Sequence, residues 1–128
     1  MFNASLHYAE QLERALGEAR RVARRGARIV VLDSPFYATR EAGEAMMREK
    51  RIDARRRFGA RADALLAIAF AEYLTRERLA EASRGLALGA WTRHRVWYPL
   101  WYELRGVRAF LRGERVPSRF DLWEAVAA

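Results

Sequence analysis

The chain contains no cysteine. No disulfide framework, thiolate nucleophile or zinc–thiolate site can therefore be built from it. Histidine is almost as scarce, with only His7 and His94. A metal site made of protein groups alone would lean on carboxylates, and no His/Glu spacing of the metal-ligating kind occurs. Lys50 is the only lysine, and Asn3 and Gln11 are the only side-chain amides. There is no Gly-x-Gly anywhere, which removes both the dinucleotide-type glycine turn and a phosphate-cradling loop. Ser5 and Ser34 lack the glycine frame of a nucleophile elbow, and no pair of acids stands apart from the charged helices as a hydrolytic pair would. No apolar run reaches the roughly 18–20 residues that span a bilayer, and Asn3, Ser5, His7 and Glu10 interrupt the start where a signal peptide would be continuously apolar. These absences predict a cytoplasmic chain with no membrane association.

What is present supports a folded domain. The 128 residues suffice for one domain, 1–128, and a hydrophobic content of 52% supports a real core. The formal charge of +8 invites a nucleic-acid reading. All of the basic residues except Lys50 are arginine, however, and alanine is abundant, as in GC-rich bacterial coding. The arginines are spread along the chain, and the densest cluster, Arg48 to Arg57, is interrupted by Glu49 and Asp53. The charge is read as solvated helix faces rather than a nucleic-acid groove.

Apolar periodicity predicts a first helix over Ala9–Arg25 (Leu12, Ala15, Leu16, Ala19, Val22, Ala23), with Gly26 as its stop. Ala27–Asp33 is a short, non-alternating, β-branched run, which predicts a strand buried on both faces. A helix returning into such a strand is half of a βαβ unit. Thr39 is placed to cap a second helix, Arg40 to about Phe58, ended by Gly59. A third helix, Asp63–Tyr73, is apolar almost all round, which predicts deep burial. Thr75 is placed to cap a fourth, Arg76 to about Leu86, closed by Gly85 or Gly89. Trp91–Tyr98 alternates like a strand, Glu103–Leu111 reads as partly helical, and Arg119–Val126 as a final strand with Phe120, Leu122 and Glu124 on one face.

Three stretches in this order carry a resemblance: Phe2-Asn3-Ala4-Ser5-Leu6-His7-Tyr8, Glu18 through Asp33 around the turn Arg25-Gly26-Ala27, and Arg112 through Phe120. They resemble the carboxyl-terminal half of a class I S-adenosylmethionine-dependent methyltransferase, of the type 11 or UbiE-like small-molecule group. The resemblance implies an α/β, partial Rossmann-like, three-layer fold. It would hold the equivalent of strands 5-7-6 with flanking helices and lack the N-terminal cofactor-binding half. The last strand would run antiparallel between the fifth and sixth. The fifth strand would be left as an open edge, which implies a homodimer or a complementing N-terminal half. Arg25-Gly26-Ala27 stands where the family has Pro-Gly-Gly, and the glycine-rich first motif and the acid after the second strand are absent, so S-adenosylmethionine is implied as cofactor for the fold but not for this chain alone.

The same resemblance assigns site residues. Asn3, Ala4 and Ser5 would lie beside the cofactor. Leu6, Asp33, Ser34, Phe36 and Tyr37 would face the small-molecule methyl acceptor, and His7 would be a general base, its ordinary pKa being near 6.5. Other roles remain open: Asn3 and Ser5 as caps, His7 as an exposed helix-start residue, Phe36 as core. The aromatics Trp91, Trp97, Tyr98, Trp101 and Tyr102, interleaved with Arg93, Arg95 and Arg105, are read as a hydrophobic cover, with base stacking as the rival. Met46 and Met47 are read as core or lid packing. The alternative to a methyltransferase is a non-catalytic interaction domain or a basic nucleic-acid-binding domain.

Overall fold

A computed structural model describes all 128 residues. Four strands form one mixed sheet: β1 (Phe2–Asn3), β2 (Arg28–Leu32), β3 (Thr92–His94) and β4 (Leu122–Val126), in spatial order β1-β2-β4-β3. β1 lies parallel to β2, and β4 is antiparallel to both β2 and β3. The fold is therefore α/β, with α1 (Leu12–Val22), α2 (Arg40–Phe58), α3 (Arg61–Leu66), α4 (Arg76–Ala82), α5 (Leu100–Glu103) and α6 (Arg105–Leu111) connecting the strands. No helix is long and apolar enough to cross a membrane.

The core occupies one face of the sheet. Ile29 and Val31 of β2 and Trp123 and Ala125 of β4 point to that face and pack with Leu12 and Leu16 of α1 and Leu79 and Ala82 of α4. Leu16 and Leu79 are fully buried, and truncating either to alanine would cost about 2–5 kcal/mol. On the opposite face, Val30, Leu32 and Leu122 are only half-buried and Arg28 is exposed. One expectation is corrected here: β2 is buried on one face, not two. A non-alternating apolar run looks the same whether its second face is covered or merely half-shielded, which is why periodicity misread it.

β2 is also not the open edge. Phe2 pairs with Val31 and Asn3 with Leu32, so the two-residue β1 covers it and presents its own outer side unpaired.

Local chemistry explains the helix limits. Thr39 Oγ1 accepts from the Ala42 N–H at 3.3 Å and Thr75 Oγ1 from Arg78 N–H at 3.1 Å, so both threonines cap as their positions predict. Gly59, at φ 55, ends α2 in a conformation that favours glycine. α1 stops earlier than periodicity suggests, at Val22, because Ala23 turns extended. Gly26, at φ 79, instead forms the turn into β2 and donates its N–H to Ala127 O at 2.8 Å.

The expected helix over Asp63–Tyr73 ends at Leu66. From there the backbone pairs elsewhere: Ala71 N–H donates to Ala9 O, Glu72 to His7 O and Leu74 to Pro35 O. Those long-range bonds outcompete helical propensity. Leu65 and Ile68 are left exposed rather than buried. β3 is likewise shorter than the alternating stretch Trp91–Tyr98, because the Val96 N–H leaves the ladder and donates to the Asp121 carboxylate at 3.0 Å. The buried face of β4 is that of Trp123 and Ala125, with Leu122 and Glu124 on the half-exposed side.

Gly43, inside α2, is buried against the Tyr73 ring, and a Cβ built there would fall within that ring's van der Waals shell. Tyr73 is held in turn by the edge of Tyr37, with centroids 5.9 Å apart, and by the Arg78 guanidinium 4.4 Å from its ring centre. In an open helix Gly→Ala stabilises by about 1 kcal/mol. Here Gly43→Ala should destabilise by about 1–3 kcal/mol through overpacking. Urea denaturation reads the sign directly, and a gain in stability would refute this packing.

Candidate functional site

A pocket of about 690 Å³ lies beside the carboxyl end of β2, against β3 and the start of β4. Ligand sites of open α/β sheets lie at that end, and the volume suits a small organic molecule. Three pieces of chain converge on it. The loop after β2 supplies Phe36 and Tyr37, the insert after β3 supplies Tyr102, Glu103 and Arg105, and the approach to β4 supplies Arg119, Asp121 and Trp123. Because β4 runs opposite to β2, its first residues arrive where β2 ends.

Phe36 forms the floor. Its N–H donates to Arg119 O and its carbonyl accepts from Arg119 N–H, at 2.9 and 2.8 Å, which ties the loop to the start of β4. Its ring stacks on Trp123, with centroids 4.9 Å apart and planes 15° from parallel. Tyr37 is buried against Tyr73, and the Arg115 guanidinium lies 5.4 Å from its ring centre.

Charge on the far wall is organised around Asp121, whose side chain is 1% exposed. It accepts from Arg93 Nε at 2.7 Å, from Arg119 Nε at 3.1 Å and from the Val96 N–H at 3.0 Å. Burial alone would raise its pKa, but the bonds from Arg119, Val96 and Arg93 outweigh that and hold it below the ordinary carboxylate value. Arg119 also binds Glu103 at 3.0 Å, and Arg95 reaches the same carboxylate at 2.7 Å. These bonds, Arg119 first, push Glu103 down to about 2, while Glu103 and Asp121 push Arg119 up. Tyr98 donates its hydroxyl to Phe120 O at 3.0 Å, and burial, followed by Tyr102, Asp33 and Asp121, raises its pKa so that it stays a donor.

The residues singled out from sequence divide into separate places. Phe36 and Tyr37 line the pocket, and Phe36 is core at the same time. Ser34 is fully buried and lies 3.3 Å from His7 Nδ1. His7 is half-buried, and burial, then the charge of Lys50, lowers its pKa. Leu6 is core. Asn3, Ala4, Ser5 and Asp33 are exposed at the sheet end, outside the pocket walls. Ala4 and Asp33 both adopt left-handed backbone, at φ 47 and 51.

The aromatic cluster is also split. Trp91 is buried with its indole N–H on Ser83 Oγ at 2.8 Å, Tyr102 lines the pocket, and Trp97 and Trp101 are exposed. Arg119, Asp121 and Trp123 are not marked as site residues by the sequence, and Arg105 stands out there only among the arginines interleaved with the aromatic cluster. The available signal was that an Arg-rich aromatic insert and a lone Arg-Phe-Asp before the last strand must meet at one sheet end. No group of histidines and acids could hold a metal ion. No protein-family model, curated protein or solved structure matches the chain.

Asp121→Asn keeps the shape but removes the charge that two guanidiniums share. It should destabilise by about 3 kcal/mol, measured by urea unfolding; a loss under about 1 kcal/mol would mean that solvent already screens the cluster. Glu103 gives a pH signature. Its folded pKa is about 2 against an ordinary 4.5. The unfolded chain therefore binds the extra proton between those values, and stability rises with pH there. The contribution is complete above 4.5 and is lost as pH falls toward 2. The thermal midpoint of Glu103→Gln should accordingly change less steeply across that window than that of the parent protein, and equal slopes would discount the cluster.

Proposed function

We propose that this chain is the acceptor-facing part of a small-molecule S-adenosylmethionine-dependent methyltransferase. The sheet order supports the reading most. β1-β2-β4-β3, with an antiparallel β4 inserted between two strands of the other sense, is the arrangement expected of the family's fourth, fifth, seventh and sixth strands. The pocket adds to it, since its floor is the loop after β2 and its wall the insert between β3 and β4.

The cofactor's requirements are not met by this chain alone. Asn3, Ala4 and Ser5 are exposed beside an unpaired strand edge, and no glycine-rich turn exists to let backbone approach a nucleotide. The donor grip belongs to a complementing N-terminal half, for which the outer edge of β1 and the half-covered face of Val30, Leu32 and Leu122 are the seat. What this chain supplies is positioning of the acceptor. His7, kept neutral by burial and set against Ser34, is the candidate base for an acceptor proton.

The test joins this chain to the polypeptide encoded in frame immediately upstream. The joined protein should bind S-adenosylhomocysteine by calorimetry, whereas this chain alone should give little or no heat. Failure of the joined protein to bind, or tight binding by this chain alone, overturns the proposal.

A second reading rests on the exposed pair Trp97 and Trp101, with the Arg95 guanidinium 4.8 Å from the Trp97 ring centre. Such a surface can stack single-stranded bases. Binding to mixed-sequence RNA that weakens steeply with salt and is lost in Trp97→Ala would favour it; no binding at low salt would remove it.

A further inference from the structure

Three buried side-chain atoms have no hydrogen-bond partner anywhere in the protein: Trp123 Nε1, Arg105 Nε and Tyr102 Oη. All three belong to residues lining the same pocket. An orphaned buried group carries a desolvation penalty that a satisfied one does not, and buried polar groups are satisfied in the great majority of cases. Their coincidence at one cavity is the signature of a site whose missing partner is a ligand. Two of the three are obligatory donors, because an indole N–H and a guanidinium N–H cannot accept.

Charge narrows the class. Of the four arginines in the wall, Arg93 and Arg119 are neutralised by Asp121 and Glu103, and Arg76 makes no ion pair but is exposed to solvent at the start of α4. Arg105 has no carboxylate partner; its one bond runs from an Nη to Ser118 O at 2.8 Å, and its guanidinium lies 3.8 Å from the Tyr102 ring centre. The pocket therefore holds one half-buried, uncompensated positive charge. Glu103, Asp121 and Glu77 stand close by and would repel a multiply charged anion. The floor is the stacked, apolar Phe36–Trp123 pair.

From these observations we propose that the pocket binds a planar aromatic monocarboxylate, its carboxylate accepting from Arg105 Nε and Trp123 Nε1 and its ring lying against Phe36 and Tyr102. All three unpaired atoms are sealed from solvent, so seating the carboxylate requires the wall to open, with the half-buried Tyr102 and Arg105 side chains turning toward the cavity and uncovering the indole N–H of the buried Trp123. The site names an acceptor class for the methyltransferase reading and rests on that reading for its role in transfer, but not for binding.

The probe is 2-naphthoate, compared with its neutral analogue 2-naphthamide and with cyclohexanecarboxylate, which carries the charge without the flat ring. Calorimetry on this chain should show 2-naphthoate binding at least tenfold tighter than either. Arg105→Gln should abolish the preference for acid over amide, weakening naphthoate far more than naphthamide. Trp123→Phe, which keeps the apolar floor and removes the N–H, should weaken naphthoate several-fold and identifies the indole proton resonance that naphthoate shifts in the parent protein. If Arg105→Gln proves unfolded by circular dichroism, the Trp123→Phe loss and the indole shift decide the matter. Equal affinity for acid and amide, an unshifted Trp123 indole resonance, or absence of naphthoate binding overturns the proposal. Naphthoate binding without any S-adenosylhomocysteine binding by the joined protein would keep this site and discard the methyltransferase reading; the converse would discard only this ligand class.

Discussion

The arrangement of the pocket depends on one buried carboxylate. Asp121 precedes β4 and is shut away from water, yet it remains ionised because two guanidiniums and a backbone N–H satisfy it. Each partner comes from a different part of the chain: Arg93 lies on β3, Val96 begins the aromatic insert, and Arg119 leads into β4. The acid thus determines where β3 stops, how the insert leaves the sheet and where it returns. A hydrophobic residue of similar volume could give equal stability, since buried ion pairs are weak net contributors. It could not aim three segments at one point, which directional, charge-assisted bonds do.

From that tie follows the lopsided build of the molecule. The core is gathered on one face, where α1 and α4 bury Ile29, Val31, Trp123 and Ala125. The other face keeps only Val30, Leu32 and Leu122 half-shielded, with Glu124 bridging Arg28 and His94 at 3.3 and 3.1 Å across the strands. A sheet with one dry face and one mixed face is stable as antiparallel pairs but unusual beside a parallel strand. The short β1 adds an unpaired outer edge to that half-covered face.

The legible parts of the chain were those governed by local chemistry. Thr39 and Thr75 mark their helix starts because a hydroxyl three residues before a free N–H is a local device, and α2 runs from Arg40 to Phe58 as its cap and Gly59 dictate. Ile29 through Val31 could be placed in the sheet because no other short segment is so rich in β-branched residues. What sequence misjudged was decided at long range. The apolar stretch from Ala67 to Leu74 has helical composition, yet its N–H groups go to Ala9, His7 and Pro35. Phe36 and Tyr37 were visible as pocket residues because they follow a strand; Arg105, Asp121 and Trp123 were not, because their partnership exists only after two antiparallel pairings bring them together.

The carboxyl ends of β1 and β2 explain why the remaining sequence-derived candidates left the pocket. Ala4 and Asp33 follow the two parallel strands, and both sit in the left-handed region, at a cost of roughly 1–2 kcal/mol for a residue bearing a Cβ. Aspartate tolerates that conformation; alanine has no side-chain bond to offset it. The reversal at Ala4 drops Leu6 into the core, and that at Asp33 buries Ser34. His7 and Ser34 are thereby brought within 3.3 Å of each other. Two residues further, the Phe36 ring is already stacked on Trp123 at the floor of the large pocket. The five residues Asp33 to Tyr37 therefore pass from the His7–Ser34 contact to the floor of the pocket within two residues of Ser34.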